Sequence, residues 1–169
     1  SDGLLDHWDR PGGGIDIDQD GTIDLDLNTM GASPTHKDVF LEIDWLVDQP
    51  GVRYEPAPTV TSELVAMFAQ APLANPDGTT GIRLHIDAGP GLDATGAPYS
   101  QQLGAAAPRG GDLIGMPSSP TAHVNVLHFG QAATVPGVNL RSFEEVKSKF
   151  FGNHDSWARE LAFHYAVLA

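Results

Sequence analysis

A chain of 169 residues with 41% hydrophobic content is long enough for one domain with its own core. A net charge of −13 argues against nucleic acid and anionic membrane as partners, and no apolar run is long enough to span a bilayer. The absence of cysteine excludes disulfides, thiolate zinc sites and a cysteine nucleophile, while 19 glycines and 13 prolines imply many turns and long loops.

Much of the negative charge sits in the first 26 residues, where aspartates recur at regular spacing. Residues 16–27, DIDQDGTIDLDL, fit the front of an EF-hand-type calcium loop. Carboxylates at loop positions 1, 3 and 5 (Asp16, Asp18, Asp20) converge on one ion, Gly21 allows the sharp turn, and Thr22 offers its backbone carbonyl. Asp24 falls at position 9; Leu27 stands where a bidentate glutamate is usual, with Asp26 beside it as a substitute. The rival reading is an acidic turn that binds nothing. The same ruler laid on the N-terminus puts Asp2, Asp6 and Asp9 at positions 5, 9 and 12 of a second loop whose front would precede Ser1, or of a coincidence. Trp8, between the loops, reads as a packing residue. The chain thus divides into an acidic calcium-loop segment, 1–30, and an incomplete α/β domain, 31–169.

Residues 36–46, HKDVFLEIDWL, read as a first, central strand bounded by Gly31 and Pro34 before it and Pro50-Gly51 after it. Alternation puts Val39, Leu41, Ile43 and Trp45 on one face and Phe40, Glu42, Asp44 and Leu46 on the other. Carboxylates on a buried strand must be paired, hydrogen-bonded or metal-bound. A proline-rich linker, 54–58, leads to a helix over 59–71 with apolar residues at helical spacing, stopped by Pro72. Asn75-Pro76-Asp77-Gly78 is a turn, and 81–89 a second strand. Strand, helix, strand implies a right-handed parallel crossover. Leu84-His85-Ile86-Asp87 echoes Leu41-Glu42-Ile43-Asp44, which suggests a register placing Glu42 beside His85 and Asp44 beside Asp87. Those four form a further candidate site: an acid pair or second cation site, set against helix capping and buried hydrogen bonds, with His85 bonded to Glu42 or a carbonyl.

Residues 90–122 form a long Gly-, Ala-, Pro- and Ser-rich loop of the kind that is functional or mobile. Residues 123–129 read as a short strand. Ser142 and Glu145 make a capping box opening a helix through Phe150, broken at Asn153-His154-Asp155. The end, 163–169, reads as a third strand, or as helix if 157–161 continues into it. A terminus inside an apolar strand suggests a cut chain, or a strand edge completed by another polypeptide.

None of the seven histidines is followed by glutamate, so no H-E-x-x-H helix exists. His123 and His128, five apart, would lie on opposite faces of a strand, which disfavours a zinc site made within the chain. There is no G-x-S-x-G elbow, and Gly89-Pro90-Gly91 lacks the spacing of a phosphate loop.

The order Asp2-Gly3-Leu4-Leu5-Asp6-His7-Trp8, the D-x-D-x-D-G loop, Met30-Gly31-Ala32-x-Pro34-x-His36-Lys37-Asp38-x-Phe40-x-Glu42-x-Asp44-Trp45, Asn75-Pro76-Asp77-Gly78 and Phe163-His164-Tyr165 resembles the front of a group of bacterial secreted zinc metallopeptidases of the metzincin kind. The likeness spans nearly all the chain, least over 90–121. It implies a small, mostly parallel sheet in the order strand, helix, strand, helix, strand, and an extracellular location. It also implies a zinc-bearing H-E-x-x-H-x-x-G-x-x-H helix beyond Ala169, in a C-terminal half that would be this chain's partner in hydrolysing peptides. Zinc is expected only in that half. The chain departs from the family in having no motif histidine or catalytic glutamate, so no catalytic residue carries over. A non-catalytic calcium-binding structural or adhesion module, or an incapacitated homologue acting as a scaffold, would carry the same aspartates.

Overall fold

A computed structural model describes residues 3–49, 52–111, 113–114, 124–128, 138–151 and 157–168. The expected readings at Asp2, Pro50-Gly51, His123, Asn153-His154-Asp155 and Ala169 lie outside them. The architecture is α/β, organised on strand β1 (Asp38–Gln49). Helix α1 (Pro58–Ala69) leads to β3 (Arg83–Asp87), which pairs parallel with one edge of β1. Strand β7 (Phe163–Leu168) pairs parallel with the other edge. Phe40 therefore lies between His85 on one side and Phe163 on the other.

The strands expected from β-branched and aromatic alternation are thus present. Of the two readings of the end of the chain, residues 163–168 take the strand, β7; the helical turn before it, α3 (Arg159–Ala162), stops at Ala162 and does not continue into it. Several short elements had no sequence expectation. Strand β2 (Val52–Arg53) folds back antiparallel on the end of β1, and β4 (Leu113–Ile114) continues the β3 edge beside Trp45 and Leu46. Strand β5 (Val124–His128), expected within 123–129, pairs parallel with the unforeseen β6 (Val138–Ser142) in a separate two-stranded sheet. Helix α2 (Phe143–Phe150) begins at Ser142, whose hydroxyl accepts the Glu145 N–H at 3.0 Å.

The suggested register is corrected. His85 sits beside Phe40, and Glu42 sits beside Asp87, two residues away from the pairing that the sequence echo implied. The physical anchor is at the strand starts. The Arg83 N–H donates to the Lys37 carbonyl at 2.9 Å. Buried Asn75 accepts the Lys37 N–H at 3.0 Å and donates to the Gly81 carbonyl at 3.0 Å, so the 75–78 turn pins both strand starts.

A slip of two preserves the face of every side chain. One face carries Val39, Leu41, Ile43, Trp45, Leu84, Ile86 and Ala88, packed against Leu64, Val65 and Phe68 of α1. Burial of a large apolar side chain of this kind contributes about 1.5–3 kcal/mol. The opposite face alternates apolar and ionisable residues. The N-terminal segment covers it: Ile15, Leu25, Leu27 and Met30 share one core with Phe40, Leu103, Phe151, Ala158 and Phe163, and half-buried Trp8 packs against them. The loop after β3 holds no helix over 90–111; it is tied to the sheet by an antiparallel bridge between Ile86 and Gln101. Among the described residues no helix is long and apolar enough to cross a membrane.

Candidate functional sites

The acidic loop is closed at its base by the Ile15–Leu25 bridge. The Ile15 N–H donates to the Leu25 carbonyl at 2.9 Å, and the Asp24 N–H to the Ile15 carbonyl at 2.8 Å. Between these points the aspartates fold the chain on itself. Asp16 Oδ2 accepts the Gly21 N–H at 2.9 Å, Asp18 Oδ1 the Asp20 N–H at 3.2 Å, and Asp24 Oδ2 the Ile17 N–H at 2.8 Å. Gly21 has φ +89°, a conformation that glycine adopts without strain.

Asp16, Asp18 and Asp24 bring one carboxylate oxygen each to within 4.8 Å of one another. The second oxygen of Asp16, Oδ1, is buried without a hydrogen-bond partner among the described residues. Asp20 and Asp26, expected as ligands, stand outside this group. Asp20 Oδ1 accepts the Thr22 N–H at 2.7 Å, and Asp26 takes the N–H and hydroxyl of Thr29 at 2.9 and 2.7 Å. Leu27 is fully buried in the core, so the usual last ligand position serves as an anchor instead. Of the second candidate set, Asp6 is exposed, Asp9 is buried with its carbonyl accepting from Asn28, and Asp2 lies outside the described residues.

Glu42, Asp44, His85 and Asp87 are all fully buried, on the ionisable face of the sheet. They do not form one set. Glu42 and Asp87 share a single cation, Arg159: its Nε donates to Glu42 Oε2 at 2.6 Å and its Nη2 to Asp87 Oδ2 at 2.7 Å. The guanidinium also lies 4.0 Å from the Phe163 ring centre. Asp87 further accepts the N–H groups of Arg109 and Gly110, at 3.0 and 2.8 Å. Asp44 accepts the Tyr165 hydroxyl at 2.6 Å.

His85 bonds to a carbonyl, that of Gln102, and to Asp38 at 2.7 Å, not to Glu42. Its ring stacks on Phe40 with centroids 4.3 Å apart. Both ring nitrogens face oxygens, which leaves neither for a metal. Asp38 in turn accepts the Ser33 N–H at 3.0 Å and pairs with Arg83 at 3.3 Å.

The expected cation among these acidic residues is therefore a side chain of the protein itself. Burial outweighs Arg159, and with Asp44 and Asp87 adding to it pushes the Glu42 carboxyl from 4.5 up to about 8. Sequence reasoning missed Arg159 and Asp38. Two buried carboxylates on one strand signalled that a counter-charge was needed, but not which basic residue supplied it.

Comparison with protein-family models, curated proteins and solved structures found no match to the chain.

Proposed function

We propose that the chain is the calcium-stabilised N-terminal portion of a secreted zinc metallopeptidase of the metzincin kind, which would hydrolyse peptide bonds once joined to a half bearing H-E-x-x-H. The observation that carries the calcium reading is the convergence of one carboxylate oxygen each from Asp16, Asp18 and Asp24, in a loop where Asp16 Oδ1 is buried without a partner among the described residues. Leaving such an oxygen without a donor costs free energy that a cation would recover. Calcium suits the donors, which are all oxygens on a pliable loop, better than magnesium with its strict octahedron. Asp16, Asp18 and Asp24 would hold the ion, with Asp20, Asp26 and the Thr22 carbonyl near in sequence to add oxygens. The ion would brace the loop from which Leu25 and Leu27 enter the core.

The peptidase reading rests on the motif resemblance and is supported by a first strand flanked by the second and the last. In it, the partner is the catalytic half, docking at the β7 edge, and the location is extracellular. A non-catalytic calcium-binding module is the second reading, since the convergence of Asp16, Asp18 and Asp24 serves it equally well.

Binding to the native state alone stabilises it by RT ln(1+[L]/Kd), about 2.7 kcal/mol at a hundredfold excess over Kd, or about 5–10 °C in Tm for a chain of this size. Melts in excess calcium and in excess chelator should differ by that amount, and Asp18→Asn, at an exposed position, should collapse the difference. Superimposable melts would remove the calcium reading.

The chain alone should not cleave casein, because hydrolysis needs an open zinc position with a positioned general base. Covalent joining to an H-E-x-x-H half should create the activity. Chelator-sensitive cleavage by the chain alone would overturn this assignment of halves.

A further inference from the structure

His85 is fully buried in the middle of β3, and each of its ring nitrogens meets an oxygen. Nδ1 lies 2.5 Å from the Gln102 carbonyl, and Nε2 lies 2.7 Å from Asp38 Oδ1. A backbone carbonyl only accepts, so Nδ1 carries a proton. Asp38 is buried too, and both of its oxygens already face donors. Oδ2 accepts the Ser33 N–H at 3.0 Å, and Oδ1 lies 3.3 Å from Arg83 Nη1. Asp38 is therefore an acceptor on each side, and Nε2 donates to it as well. A neutral imidazole has one N–H; this site uses two. Phe40 suits the resulting charge, since its ring lies flat on the imidazole, at 12° with centroids 4.3 Å apart, and an aromatic face attracts a cation.

The oxygen held by Nδ1 belongs to a strained residue. Gln102 has φ +58°, in the left-handed region that a residue with a side chain rarely adopts. The chain on either side is fixed. Gln101 and Ile86 exchange two backbone hydrogen bonds at 2.9 Å, Leu103 is buried in the core, and the Ala105 N–H donates to the Thr29 carbonyl at 3.0 Å. Gly31 leaves room for the contact: a Cβ there would stand 3.2 Å from His85 Cε1 and 3.7 Å from the Gln102 oxygen. One peptide, 102–103, is thus held by the ring between two anchored points.

We propose that His85 is a proton-operated latch: as an imidazolium it holds the Gln102 carbonyl, and when it loses a proton the 102–103 peptide turns away. The proton that leaves is the one on Nδ1, because a lone pair on Nε2 would face a carboxylate. Two acceptors then meet 2.5 Å apart with no hydrogen between them, and the contact opens. The latch is closed on the acid side and opens as pH rises. The charged groups at the ring are Asp38 on β1 and, through it, Arg83 on β3. Farther along the same face, Asp87 and Glu42 are met by Arg159. Gln102 and Arg83 also border a cavity of about 140 Å³ with His36, Val65 and Ile82, so turning the peptide changes the lining of that cavity.

Proton–nitrogen correlated NMR of the full chain tests the latch. At pH 6, His85, assigned by the loss of its signals in His85→Gln, should show two ring N–H signals. Raising the pH should remove the Nδ1–H signal and shift the Leu103 amide, which shares the Gln102 peptide, in the same step. The same scan in Glu42→Gln, which removes the carboxyl raised to about 8, should leave that response intact. Asp38→Asn should abolish it. An amide at position 38 can donate to Nε2, so a neutral ring keeps its Nδ1–H on Gln102 at every pH. One ring N–H at pH 6, two that persist unchanged to pH 9.5, or a Leu103 amide unmoved when the Nδ1 proton leaves would overturn the proposal. So would a response lost in Glu42→Gln. Should Asp38→Asn fail to fold, the parent spectra decide alone. No outcome bears on calcium binding or on the peptidase reading.

Discussion

Replacing Arg159 with methionine should cost about 3–5 kcal/mol of unfolding free energy, the usual penalty for removing one partner of a buried ion network. Arg159 is 1% exposed and bonds at once to Glu42 and Asp87, both fully buried. Methionine fills much of the same volume, so the loss is chiefly electrostatic. Asp87 keeps its backbone donors from Arg109 and Gly110 but loses its counter-charge. Glu42 would retain no donor on either oxygen, because Oε1 has none among the described residues. Urea unfolding reads the effect. With a slope of roughly 1–3 kcal/mol per molar urea, the midpoint should fall by at least about 1 M. A second variant separates charge from fit: Arg159→Met combined with Glu42→Gln and Asp87→Asn should recover much of the loss, since neutral side chains need no counter-ion. A midpoint unmoved in the single variant would show that Asp87 does not depend on the guanidinium for its counter-charge.

Glu42→Gln alone should remove a pH dependence rather than a fixed amount of stability. The Glu42 carboxyl is raised by burial to about 8 in the folded chain, from 4.5. Between those values the native state holds a proton that the unfolded chain has lost, so stability falls as pH rises. The contribution is fully present below 4.5 and is lost as pH climbs through about 8. At 1.36 kcal/mol per unit the span is about 5 kcal/mol as an upper bound. Oε2 accepts from Arg159, so the proton belongs on Oε1. Glutamine mimics that neutral form at every pH. The variant should match the parent near pH 4.5 and exceed its Tm at pH 8.5 by several degrees. Asp77 and Asp93, whose hydrogen bonds hold them low, act at the acid end in both proteins and cancel in the difference. A parent-to-variant difference that is constant from pH 5 to pH 9 would exclude a shifted Glu42.

Why some features were legible and others were not follows from the range over which each is encoded. Val39, Leu41, Ile43 and Trp45 announce a strand because alternation is a local pattern, and the Ser142 cap announces a helix because its partner lies three residues on. The faces of β1 were therefore readable. The register was not, because Leu-Glu-Ile-Asp and Leu-His-Ile-Asp align equally well at two offsets of the same parity. The choice between them is made by Asn75 and the Lys37 carbonyl at the strand starts. Strands β2 and β4 have two residues each, too few to carry a period. Arg159 reaches Glu42 across 117 positions, a distance at which sequence shows only that a cation is wanted somewhere. The aspartate loop lies at the other extreme, since the hydrogen-bond partners of Asp16, Asp18, Asp20 and Asp24 all fall within eight residues of Asp16. Even there, spacing alone did not separate Asp16, Asp18 and Asp24, which converge, from Asp20 and Asp26, which turn aside.

The central strand is made early and completed late. During synthesis, β1 and β3 emerge with α1 between them and can dock while the rest of the chain is unmade. At roughly 5–20 residues per second, the 117 positions from Glu42 to Arg159 take roughly 6–23 s. Through that interval β1 has one bare edge, and two carboxylates face a sheet surface with no counter-ion. Their charge repels like nascent chains and keeps the bare edge hydrated, so the protein carries its own safeguard against edge-to-edge association. Arg159 and β7 then arrive within ten residues of each other, and the same event neutralises the acids and closes the edge.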